Sequence, residues 1–115
     1  IAPGDFHMVV QRQPRGVVVK LHQGPQEHSC RPSVDVLFRS AAETYGGSAI
    51  TVMLTGMGND GLQGTTALHQ RGAYVIAQDA ASSVVWGMPG AVVNAGLAHS
   101  VVDLSCIAPE ILKQI

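Results

Sequence analysis

Short apolar runs alternate with polar breaks marked by glycine and proline along the whole chain. Near the start, "FHMVVQRQPRGVVVKL" sets two β-branched runs on either side of Gln13-Pro14-Arg15-Gly16. Proline at the second position of such a tetrad suits a tight turn, so the stretch predicts a β-hairpin. "HQGPQEHSCRP" is polar and interrupted by breakers, which predicts a loop. From Ser33 the spacing changes, and Val34, Leu37, Phe38, Ala41, Ala42 and Tyr45 fall on one helical face. This predicts an amphipathic helix with Ser33 as N-cap and Gly46 as its stop.

"SAITVML" is continuously apolar, as a parallel strand covered on both faces is. A glycine turn and "LQGTTALHQRG" follow, a helix closed by Gly72, and then "AYVIAQ" repeats the buried-strand pattern at β-α-β spacing. "DAASSVVWGM" predicts a short helical turn, and Pro89 suits the first turn of a helix in "PGAVVNAG" that ends at Gly96. "HSVVDL" predicts a short strand and "SCIAPEILKQI" a closing helix. Strands alternating with helices imply an α/β fold with a parallel sheet and right-handed crossovers.

Composition narrows the classes. A chain of 115 residues with 46 % hydrophobic and 13 % charged residues fits one ordered domain. Its net charge of −1, with no Lys/Arg cluster, leaves no footprint for nucleic acid or an anionic membrane. The apolar runs are strand-sized, far below the roughly 20 residues of a membrane span, and no basic-then-apolar leader opens the sequence, so a cytoplasmic protein is expected. Cys30 and Cys106 lie far apart and read as free thiols. His22, His28 and Cys30 match no established ligand spacing, so neither a metal nor another cofactor is expected. The opening at Ile1, in a turn that leads straight into a strand, is expected to belong to something longer.

"GMGNDG", Gly56 to Gly61, satisfies G-x-G-x-x-G, and Asp79 lies near the distance of a ribose-binding carboxylate. In a dinucleotide site, however, Asp60 would face the pyrophosphate. Two like charges about 4 Å apart cost on the order of 4 kcal/mol at an effective dielectric near 20. Two other roles suit this carboxylate. It could cap the following helix, with Gln63 as the reciprocal partner of a capping box, or it could orient a histidine in a Ser-His-Asp triad. No serine lies in a G-x-S-x-G elbow, and His7, His69 and His99 read as structural or exposed.

The segments "IAPGDFHM", "RPSVDVLFRSAAETYG", "ITVMLTGMGNDGLQG", "GAYVIAQDAASSVVWGMP" and "VVDL", in this order over nearly the whole chain, resemble the C-terminal part of the CheB family of chemotaxis protein-glutamate methylesterases. The resemblance implies part of a doubly wound, mostly parallel, Rossmann-like three-layer α/β domain with an N-terminal hairpin. It also implies hydrolysis of glutamate methyl esters on the cytoplasmic domains of chemoreceptors, with glutamine deamidation in some members. The family's triad aspartate falls on Asp60, and Met57, Trp86 and Met88 would line the cleft. Its serine and histidine belong to segments that precede those quoted, and no residue here matches them. Residues 1–115 are therefore expected to be the C-terminal portion of the catalytic domain, with a receiver domain present in many relatives. The open sheet edge of such a portion is expected to promote self-association. A non-catalytic binding module of a chemotaxis-like pathway is the alternative from another class, and a dinucleotide-binding domain a further one. By itself the chain is expected to release no methanol from methylated receptors; release that disappears when one of its own serines is substituted would overturn this.

Overall fold

In the computed structural model, which describes all 115 residues, two antiparallel strands, β1 (His7–Gln13) and β2 (Gly16–His22), form the expected hairpin. It stands apart from the main sheet and lies against the helix α1 (Val34–Tyr45). The hairpin is tied to α1 by polar contacts: Val10 N–H donates to Ser40 Oγ at 3.0 Å and the Arg12 guanidinium to Thr44 O at 2.8 Å.

The main sheet has three parallel strands in sequential order, β3 (Ile50–Met53), β4 (Tyr74–Gln78) and β5 (Ser100–Val102). α2 (Leu62–Gln70) connects β3 to β4, and α3 (Met88–Asn94) connects β4 to β5. Val75 of β4 faces Val92 of α3 and Met53, with Val34 and Phe38 of α1 packed against them. A second cluster, Ala42, Leu68 and Ala73, joins α1 to α2. Side chains alternate across a strand, so Tyr74 points to the other face, where its hydroxyl donates to Glu110 of α4 (Ile107–Lys113). Helices thus cover both faces of β4, the central strand, whose Val75, Ile76 and Ala77 are fully buried.

The α/β architecture with its antiparallel hairpin agrees with the sequence reading, and one segment differs. Residues 79–87 form a loop, not a helical turn, and α3 begins only at Met88. This loop is committed to tertiary contacts: Ser82 Oγ accepts Leu104 N–H at 3.0 Å, and Val85 N–H donates to Thr55 Oγ1 at 2.9 Å. The closing helix also starts with a 3₁₀ turn, Leu104–Cys106, capped by the Asp103 carboxylate.

α1 and α2 approach closely near their N-terminal ends, and Gly64 permits it. A Cβ at this position would lie 2.4 Å from Phe38 Cβ and 3.3 Å from the Asp35 backbone. Gly64→Ala is therefore expected to destabilise the fold by about 1–3 kcal/mol through overpacking, although alanine favours an isolated helix by about 1 kcal/mol. Urea unfolding of the two proteins measures the sign.

Candidate functional site

The turn between β3 and α2 carries the glycine-rich motif, and its last glycine sets the position of Asp60. Gly61 has φ +97°, and a Cβ there would lie 2.5 Å from Met53 Cε. This left-handed residue turns the chain into α2, leaving Asp60 just outside that helix. Asp60 is 7 % exposed.

Its carboxylate does not cap α2. Oδ1 accepts from Ser33 Oγ at 2.7 Å and from Asp35 N–H at 3.1 Å, while Oδ2 accepts from Val34 N–H at 2.7 Å. Asp60 therefore closes the N-terminus of α1, the expected Asp60–Gln63 capping box does not form, and α2 has no side-chain cap from its own N-cap residue. Ser33 occupies the N-cap position of α1, but its hydroxyl donates to Asp60 and makes no cap bond itself. The partly free N–H groups and dipole of a helix N-terminus favour an ionised carboxylate there.

The N-terminus of α2 is served in return by α1. Asp35, fully buried in the first turn of α1, accepts Gly64 N–H at 2.7 Å through Oδ1 and pairs with His28 Nε2 at 2.9 Å through Oδ2. Arg39 adds positive charge close by, and its hydrogen bond to Glu27 holds the Glu27 carboxyl below the usual carboxylate range.

His28, Asp35 and Asp60 place ligand-type atoms within 4.8 Å of one another. Their oxygens are engaged by amide, hydroxyl and imidazole partners, which is the arrangement of paired helix caps. None of the histidines hydrogen-bonds Asp60. The buried His7 uses both ring nitrogens, Nδ1 accepting from Ser33 N–H and Nε2 donating to Pro25 O. His28 is paired with Asp35, and the Nδ1 atoms of His22 and His99 accept the N–H groups of Gly24 and Val75. His69 stacks on His99, whose ring also stacks on Tyr74.

Where the same turn leaves β3, the ends of β3 and β4 are stitched together. The buried Gln78 accepts Thr55 N–H through Oε1 and donates to Ser82 through Nε2. Gly56 exchanges backbone hydrogen bonds with Val85, Gly87 and Met88. Of the residues read as cleft lining, Met57 is 81 % exposed, while Trp86 and Met88 are half-buried. The Trp86 ring lies over Gly90, and Met88 Sδ lies beneath Gly56.

The sequence reading did not single out Asp35 or Gln78. Asp35 had a legible signal, because positions 35, 38 and 42 fall on one helical stripe with Phe38 and Ala42, where a solvated carboxylate would be out of place. Gln78 gave none beyond a polar residue at the end of an apolar strand.

Residues 1–111 match the model of the CheB methylesterase family. The chain is 51 % identical over 115 residues to the protein-glutamate methylesterase/protein-glutamine glutaminase of Trichodesmium erythraeum, covering all of this chain and 33 % of that protein. It is 53 % identical to the corresponding protein 2 of Caulobacter vibrioides, again covering 33 % of it. Among solved structures, the Thermotoga maritima CheB methylesterase catalytic domain superposes with a TM-score of 0.97 at 37 % identity, over the whole of this chain and 61 % of that one. The chain thus spans about a third of the length of the curated relatives it matches.

Asp35→Ala would leave the buried Gly64 N–H without an acceptor and His28 without its hydrogen-bond partner. It is expected to cost about 2–3 kcal/mol, whereas Asp35→Asn, which keeps one acceptor oxygen, should cost less. Denaturant midpoints for the two variants give the ranking.

Proposed function

This chain belongs to the CheB methylesterase family, and we propose that it contributes the carboxylate of a Ser-His-Asp triad that hydrolyses glutamate methyl esters. The observation that carries this reading is Asp60 itself. It is a buried carboxylate, locked by donors from the start of another helix, in the turn between a parallel strand and the next helix, where open α/β sheets gather their chemistry. The names of the relatives, protein-glutamate methylesterase/protein-glutamine glutaminase, supply the substrate class.

In the complete enzyme a serine Oγ attacks the ester carbonyl while the histidine takes its proton, and backbone amides stabilise the oxyanion. The histidine then protonates the departing methanol. Water attacks the acyl-enzyme, again giving its proton to the histidine, and releases the free glutamate and the serine. Asp60 holds the imidazole in the productive tautomer and stabilises the imidazolium formed in both halves. The serine and histidine come from parts of the enzyme outside residues 1–115.

On this reading the substrate side chain belongs to the cytoplasmic part of a methylated chemoreceptor, and the enzyme works in the cytoplasm; no helix here is long and apolar enough to cross a membrane. A receiver domain in the complete protein would control access to the site. Met57, exposed on the turn that bears Asp60, borders the approaching substrate, with Trp86 and Met88 supporting that rim from below.

In the complete enzyme, Asp60→Asn is expected to lower kcat on the order of 10³–10⁴-fold while far-UV circular dichroism keeps its native shape. Unchanged methanol release from methylated receptor membranes would reduce Asp60 to a helix cap.

A further inference from the structure

A serine at a helix N-cap ordinarily turns its oxygen toward the amides of the first turn and accepts from them. Ser33 has the extended backbone of an N-cap, with φ −110° and ψ 135°, yet makes no such bond. Its hydroxyl is turned outward and donates to Asp60 Oδ1 at 2.7 Å, and Asp60 takes over the cap.

Ser33 is itself tightly held. It is 2 % exposed, and its own N–H donates to the fully buried His7. Its position therefore depends on the hairpin as well as on α1. The two oxygens of Asp60 are not equivalent. Oδ1 accepts two bonds, from Ser33 Oγ and Asp35 N–H, which fills the usual capacity of a carboxylate oxygen. Oδ2 accepts one, from Val34 N–H.

We propose that Ser33 is a positioning residue for the triad: by filling the second acceptor site of Oδ1 it reserves Oδ2 for the Nδ1–H of the catalytic histidine. This rests on the reading of Asp60 as the triad carboxylate. The amides of Asp35 and Val34 hold one oxygen each and fix the place and rotation of the carboxylate, and the serine bond decides which oxygen stays open. Without it, Oδ1 and Oδ2 each accept a single amide bond, and the imidazole meets two competing acceptors in place of one. Asp35 secures the arrangement from the other side by clamping α2 to α1, so that the turn bearing Asp60 cannot move away from Ser33.

The test is a double-mutant cycle in the complete enzyme, with methylated receptor membranes as substrate and methanol release as readout. Ser33→Ala is expected to lower kcat about tenfold with KM unchanged, as loss of one charge-assisted hydrogen bond implies. In the Asp60→Asn background the same substitution is expected to change kcat by less than about twofold, because no carboxylate remains to be aligned. Ser33→Cys, nearly the same size and a weaker donor, is expected to fall between serine and alanine, and it decides the matter if Ser33→Ala does not fold. An equal loss from Ser33→Ala in both backgrounds, or none in the Asp60 background, overturns the proposal while the triad reading stands. Full turnover by Asp60→Asn alone overturns both.

Discussion

The N-terminus of an α-helix leaves backbone N–H groups without intrahelical partners, and here two such ends meet beneath one turn. Asp60, which precedes α2, satisfies α1, while Asp35, inside α1, satisfies α2. Two carboxylates are thereby held side by side in the interior, and their repulsion at about 4 Å would cost on the order of 4 kcal/mol at an effective dielectric near 20. The helix dipoles, the charge-assisted hydrogen bonds and the His28 contact offset it. Gly64 completes the arrangement by letting the backbones come close enough for both bonds to form. The sheet can be regarded as the support that brings this crossing together.

The same crossing clarifies why the glycine motif does not build a phosphate cradle. A dinucleotide needs free N–H groups at the start of the helix that follows the first strand. In this chain the Gly64 N–H in the first turn of α2 is already engaged by Asp35, and a second buried carboxylate stands next to it. The charge on Asp60, visible in the sequence, pointed in this direction, but the stronger reason is the presence of Asp35, which comes from a helix 25 residues earlier in the chain.

Elements whose identity depends on local periodicity were legible from sequence: the hairpin, α1, the parallel strands and the helices that connect them. What was hidden depends on contacts between distant segments. Asp60 looked like the cap of its own helix because capping is read locally, whereas Gly61 turns α2 away and Ser33 and Val34 bring another helix end within reach. Ser33 was legible as an N-cap position, but the direction of its hydroxyl was not. The stretch from Asp79 to Gly87 carried residues compatible with a helical turn, yet Ser82 Oγ accepts Leu104 N–H, and Val85 and Gly87 bond to Thr55 and Gly56, so tertiary bonding prevails over local preference. Asp60 stands out in the sequence because its motif and flanking segments are distinctive; its anchors are ordinary residues whose significance lies in their placement.

The stitch at Gln78 joins the ends of β3 and β4 by way of a side chain amide, an indole N–H, a hydroxyl and a backbone N–H. None of these groups gains or loses a proton near neutrality. The joint between the two strand ends therefore keeps its hydrogen bonds across that range. Loosening the junction between β3 and β4 thus calls for a side-chain substitution or for unfolding, not for a change of pH near neutrality.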